Sequence, residues 1–169
     1  AQLGMKVAIA EKNEIGGVCL NWGCIPSKAL LRNAEVLSLL LRAEEFGIEI
    51  GNVKADYAKA VERSRGIVKR LTRGISSLLR KNKVDVINNE AYLAGSSKVA
   101  FDGSSDVIVS PRIILATGAR PRLVPELLVD GERVVTSREA IEQRDVPSQI
   151  VIVGGGSIGV EFATIYNSY

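Results

Sequence analysis

The chain has 169 residues, 46% of them hydrophobic and 24% charged, with a formal net charge of +3. That length suits one ordinary domain, and the composition is that of a globular protein. The mild, dispersed positive charge argues against nucleic-acid binding. Two cysteines are too few for a secreted disulfide scaffold and suggest a reducing compartment, the cytoplasm or a mitochondrial matrix. No run is long and apolar enough to span a bilayer.

The elements follow in order. Met5–Glu11 is a short apolar run ending in an acid, which predicts a buried strand. Leu30, Ala34, Leu37 and Leu41 recur at helical spacing, and Gly47 closes that helix. A second helix is predicted from about Asp56 to Asn82, with Tyr57, Val61, Val68, Leu71, Ile75 and Leu78 along one stripe. Its basic residues, including Lys59, Arg63, Lys69, Arg70, Arg73 and Arg80, read as a solvated face. Val84–Ala94, Lys98–Phe101 and Asp106–Val109 alternate between turn signals and predict a small antiparallel meander. Pro111–Gly118 reads as a buried strand ending in a turn. Residues 119–147 form a connector with a short helix near Ser137–Gln143. Ile150–Val153 predicts a new strand, followed by a helix.

The two cysteines, Cys19 and Cys24, stand just ahead of the first helix. A bridge over so short a loop is a poor staple, worth about 2 kcal/mol by loop entropy. It makes better sense as a redox switch, where two thiols meet reversibly. Inert or metal-binding cysteines are the alternatives, although two cysteines without any histidine are a thin ligand set. Pro26 favours the first turn of a helix, and a helix N-terminus favours a thiolate. Gly16 and Gly17 let backbone approach a phosphate or a ring edge. Lys28 lies one helical turn beyond Cys24 and can share its face; an ordinary exposed lysine is the bland alternative. Glu11, at a strand end, is placed where dinucleotide folds hold a ribose. Gly154-Gly155-Gly156-Ser157-Ile158-Gly159 fits GxGxxG between a predicted strand and a predicted helix, the context in which that pattern binds a pyrophosphate.

The segment Gly16-Gly17-Val18-Cys19-Leu20-Asn21-Trp22-Gly23-Cys24-Ile25-Pro26-Ser27-Lys28 resembles the active-site stretch of the flavin-dependent disulfide reductases, the class I pyridine nucleotide-disulfide oxidoreductases. Val7–Glu11, Ala116-Thr117-Gly118 and Gly154–Glu161 match the same family in the same order. Leu20–Gly23 and Ile25–Ser27 favour its dihydrolipoamide-oxidising branch. The resemblance implies an α/β fold: a Rossmann-like, three-layer FAD-binding domain over residues 1–147, with a parallel sheet and an antiparallel meander, and the start of an NAD-binding domain over 148–169.

It also implies roles. Cys19 would exchange with substrate sulfurs, Cys24 would face the flavin, and Lys28 would approach the flavin and pair with Glu161. FAD contacts would fall on Glu11, Gly17, Val18, Cys19, Lys28, Ala91, Thr117, Gly118 and Ala119. NAD contacts would fall on Gly154, Gly156, Ser157, Ile158 and Gly159. No metal is implied. The implied reaction takes electrons from protein-bound dihydrolipoamide through the cysteines and FAD to NAD. Its partners would be the lipoyl domains of 2-oxoacid dehydrogenase complexes and a second identical subunit. Other branches, such as NADPH-linked glutathione or mercuric reductase, remain open, as does a non-enzymatic nucleotide- or thiol-binding module.

The chain does not begin with Met, Ala1–Gly4 reads as a helix tail, and Phe162–Tyr169 reads as an unfinished helix. The family's first GxGxxG, its acid that selects NAD over NADP and its histidine base have no counterpart here. The expectation is an internal fragment with the FAD-binding domain incomplete at its N-terminus, inactive alone.

Overall fold

The computed structural model describes residues 1–169 and contains helices with both parallel and antiparallel sheet. The residues group into two compact units, Ala1–Gly17 with Leu71–Ala119, and Val18–Arg70 with Arg120–Tyr169.

In the first unit, β1 (Ala8–Ala10) pairs in parallel with β2 (Asp85–Ile87), in the register Ala8↔Asp85, Ile9↔Val86, Ala10↔Ile87. The Val7 carbonyl and the Glu11 N–H extend this ladder at each end, both at 3.0 Å. β3 (Ala91–Gly95), β4 (Lys98–Phe101) and β5 (Val107–Val109) form an antiparallel sheet in that order. Ala100 and Phe101 are its buried residues. The expected meander is therefore present but shifted: Val84–Ala94 is two strands, of which only β3 joins it.

In the second unit, α1 (Gly17–Trp22, shared at its first residue with the first unit) leads into α2 (Cys24–Leu41). Pro26, Ala29, Leu30, Ala34 and Leu37 give α2 a buried face at i+3/i+4 spacing. A short 3₁₀ turn (Ala43–Phe46) follows and ends at Gly47, whose φ of 70° is the left-handed cap that the sequence suggested. α3 (Tyr57–Lys81) begins where the Asp56 carboxylate accepts the Lys59 N–H at 3.0 Å. It buries Tyr57, Ala60, Val61, Ser64 and Val68. α4 (Ser137–Ala140) starts with a reciprocal capping box between Thr136 and Glu139. α5 (Ser157–Asn167) buries Phe162, Ile165 and Tyr166.

One core joins these helices: Leu30, Tyr57, Ala60, Val61, Ala140, Ile141, Phe162, Ile165 and Tyr166, with Trp22 and Ile152 packed on its margin. The Tyr57 ring meets those of Tyr166 and Tyr169, with centroids at 5.8 and 5.0 Å. No helix is long and apolar enough to cross a membrane.

Several expectations are corrected. Pro111–Gly118 is not a buried strand: it carries no ladder, and Ile114 is 91% exposed. Ile150–Val153 likewise forms no strand, with Val151 88% exposed. Both runs are apolar enough for a sheet interior, but no strand of this chain lies beside either one, and a strand exists only through its neighbour's hydrogen bonds. β1 is paired on one edge only and is exposed rather than buried. Leu41, Leu71 and Leu78 continue the helical stripes in sequence yet face solvent. Ala1–Gly4 is a turn closed by the Gly4 N–H on the Ala1 carbonyl, not a helix end. The short helix stops at Ala140, before the predicted Gln143.

Candidate functional site

Cys19 lies in the single six-residue turn of α1, and Cys24 is the first residue of α2. Gly23 between them caps α2. A Cβ added at Gly23 would stand 3.3 Å from both the Cys19 Cα and the Val18 carbonyl oxygen, so a small residue is needed where the chain doubles back. This folding brings Cys19 and Cys24 to a Cα separation of 4.6 Å, and they form a disulfide. Pro26 sits in the first turn of α2, where its missing N–H costs nothing, and the Ser27 N–H makes an early helical bond to the Gly23 carbonyl at 3.0 Å.

α3 braces the start of α2. The Ser64 hydroxyl, fully buried, donates to the Pro26 carbonyl at 3.1 Å. Arg63 donates to the Asn33 side chain at 3.0 Å. Composition gave no sign of Ser64; only its place on the apolar face of α3 could have marked it.

Lys28 projects from α2 onto α5, where its ammonium donates to the Glu161 carboxylate. Burial of Glu161 pushes its carboxyl up, but hydrogen bonds from Lys28 and Ser27, together with the Lys28 charge, outweigh this and hold it below the usual glutamate range. The pair expected from the sequence is thus formed within the second unit.

Trp22 was quoted only as part of a motif, but it is the hub of a further cluster. The Arg138 and Arg65 guanidinium carbons lie 3.0 and 4.3 Å from its ring centroid. Glu142 pairs with both arginines at 3.2 Å. Arg65 comes from α3, Arg138 from α4 and Glu142 from just beyond α4, all far from Trp22 in sequence, which is why spacing did not reveal them.

The glycine-rich segment keeps the loop and the helix of its pattern, although the run before it, Ile150–Val153, forms no strand. Gly154 adopts φ 111°, open to glycine and strained for other residues. A Cβ on Gly159 would collide with the Gly154 carbonyl oxygen and come within 3.1 Å of Ile152 Cγ2. Gly156 caps α5, and a Cβ there would meet open space. The loop therefore leaves the N-terminus of α5 uncovered at Gly156 and packs closely at Gly159. Ser157 and Ile158 begin the helix.

Gly17, the first residue of α1, has φ 67°, in the left-handed region that favours glycine, and a Cβ built there would meet no other atom within 4 Å. One Glu11 carboxylate oxygen accepts the Asn13 N–H at 2.9 Å. Ala91 opens β3, and Thr117–Ala119 turns through Gly118 at φ 77°. Val18 is exposed on α1.

The family model for pyridine nucleotide-disulphide oxidoreductases matches residues 1–169. The chain is 48% identical to the dihydrolipoyl dehydrogenase of Chlorobaculum parvum, over 98% of this chain and 36% of that protein. It is 40% identical to that of Bacillus subtilis, over 100% of this chain and 38% of that protein. The crystal structure of LpdA from Mycobacterium tuberculosis superposes with a TM-score of 0.88 at 26% identity, over 98% of this chain and 37% of that one. The flavoprotein disulfide reductase RclA from Escherichia coli, solved as a copper(II) complex, gives 0.78 at 26% identity, over 99% and 35%. The chain spans little more than a third of the length of these two dihydrolipoyl dehydrogenases.

Proposed function

Because the chain belongs to the pyridine nucleotide-disulphide oxidoreductase family, we propose that it carries the dithiol centre of a dihydrolipoyl dehydrogenase. The observation that carries this reading is the Cys19–Cys24 disulfide at the start of α2, with the Lys28–Glu161 pair one helical turn further on.

In the proposed reaction a protein-bound dihydrolipoamide is the reductant. One substrate thiolate attacks Cys19 Sγ, which breaks the Cys19–Cys24 bond and leaves a mixed disulfide on Cys19. The second substrate thiol displaces Cys19. Lipoamide disulfide leaves, and both cysteines remain reduced. Cys24 is the first leaving thiolate, and its place at the N-terminus of an eighteen-residue helix favours negative charge on that sulfur. The chemistry that returns the pair to disulfide is supplied by FAD, with NAD as final acceptor. Glu11, Gly17, Val18, Cys19, Lys28, Ala91, Thr117, Gly118 and Ala119 would hold the flavin nucleotide. Gly154, Gly156, Ser157, Ile158 and Gly159 would hold the second nucleotide. Lys28, fixed by Glu161, would place a cation beside the reacting centre.

Residues 1–147 are accordingly assigned to an FAD-binding domain and 148–169 to the start of an NAD-binding domain. Lipoyl domains of 2-oxoacid dehydrogenase complexes, a second identical subunit and a cytoplasmic location complete the proposal. Its test is a steady-state assay on the full-length protein that contains this chain. NAD-dependent oxidation of dihydrolipoamide, lost in Cys19→Ser and Cys24→Ser, supports it. NADPH-dependent reduction of glutathione disulfide or mercuric ion in its place assigns the protein to another branch.

A further inference from the structure

The geometry points to a second task within the second unit: Arg65, Arg138 and Glu142 act together as positioning residues that hold the turn between the two cysteines in the shape that closes their disulfide. This rests on the reading of Cys19 and Cys24 as a working redox pair.

Trp22 stands two residues before Cys24 and three after Cys19. Its ring lies under two guanidinium groups, at 3.0 Å for Arg138 and 4.3 Å for Arg65. Each cation is attracted to the ring face, yet two like charges brought to one ring repel each other. Glu142 relieves that repulsion by dividing its carboxylate: Oε1 takes Arg65 Nε and Oε2 takes Arg138 Nη1, each at 3.2 Å. Arg65 also donates through Nη1 to the Asn21 carbonyl at 2.5 Å. That carbonyl is in the last turn of α1. Asn21 itself is buried. Asn21 and Trp22, two adjacent residues of the segment between the cysteines, are thus fixed from outside that segment. The core needs only an apolar neighbour for Trp22, so packing alone does not explain three charged groups gathered on it.

The consequence falls on the dithiol state. With the disulfide open, only the intervening turn keeps the two sulfurs near one another. A turn clamped at Asn21 and Trp22 has fewer open conformations, and disulfide closure is favoured. Releasing the clamp should lower the equilibrium constant for closure roughly ten-fold, equivalent to raising the reduction potential by about 30 mV.

The experiment equilibrates the chain in glutathione buffers, where two glutathione thiols reduce the disulfide to two cysteine thiols and become glutathione disulfide. Free thiols are counted after acid quench and alkylation. Trp22 is the single tryptophan, so its fluorescence reports the clamp independently. Glu142→Gln and Arg65→Met should alter the emission and lower the closure constant, and Arg65→Lys should restore part of it. Ser168→Ala, which removes an exposed hydroxyl bonded to the Thr164 carbonyl at the end of α5, should leave both readouts unchanged. An unchanged closure constant in Glu142→Gln, or an equal shift in Ser168→Ala, overturns the inference. No flavin, nicotinamide or lipoamide enters the titration. A failed dihydrolipoamide assay therefore leaves this test standing, and an unchanged constant in an otherwise active enzyme removes the clamp alone.

Discussion

Lys28 and Glu161 are separated by 133 positions in sequence, and their side chains form an ion pair that ties α2 to α5. The Glu161 carboxyl is held below its usual range, so it binds protons less readily in the folded chain than in the unfolded one. The stabilisation is therefore present above the unfolded carboxyl value of about 4.3 and is lost as pH falls through the lowered folded value. Lys28 is largely exposed, which keeps the contribution to at most about 1 kcal/mol. In urea titrations Glu161→Gln should be slightly less stable than the parent at pH 7. The gap should close on acidification; a gap that persists at pH 2 contradicts this account.

Ser64 makes a second, buried tie between α3 and α2. Its fully buried hydroxyl donates to the Pro26 carbonyl, which as a first-turn carbonyl of α2 also lies in the helical ladder. Ser64→Ala removes this donor and should lower unfolding stability by about 0.5–1.5 kcal/mol. A change within error would mean that the bond adds nothing to the packing of α3 on α2.

Tyr57 predicts the opposite sign. Its hydroxyl is buried close to that of Tyr166, but no acceptor or donor meets it at full hydrogen-bond geometry. Burial, and then the neighbouring Tyr166 and Tyr169, push its ionisation far above the usual tyrosine range. Since the folded value is raised, the stabilisation is complete below the unfolded value of about 10 and falls away as pH rises beyond it. Tyr57→Phe should match or exceed the parent in thermal stability at pH 7, and it should soften the alkaline loss seen by circular dichroism.

The glycine loop separates packing from binding. Gly159→Ala drives a methyl group into the Gly154 carbonyl and against Ile152, and should cost about 1–3 kcal/mol in stability. Gly156→Ala points into open space and should leave stability nearly unchanged while weakening nucleotide binding in the full-length protein. Equal stability losses in both variants would remove the distinction.

Much of this was legible in the sequence, for identifiable reasons. α2 and α3 follow from stripes of apolar residues, because a helix is a local object whose period is written along the chain. The disulfide and the Lys28–Glu161 pair follow from family motifs matched residue by residue. The two missed strands share one cause. Pro111–Gly118 and Ile150–Val153 look like strands by composition, but a strand is a relation to a neighbour that the run itself does not contain. The same holds for Ser64, Arg65, Arg138 and Glu142, whose roles arise only where α3 and α4 fold against the cysteine turn.

The most direct measurement is the visible spectrum of the full-length protein containing this chain, recorded before and after dihydrolipoamide and again after NAD. The account predicts a flavin spectrum that gains long-wavelength absorbance on reduction, returns to the oxidised form with NAD, and loses the long-wavelength band in Cys24→Ser. A protein with no flavin, or with a flavin that ignores dihydrolipoamide, would contradict it.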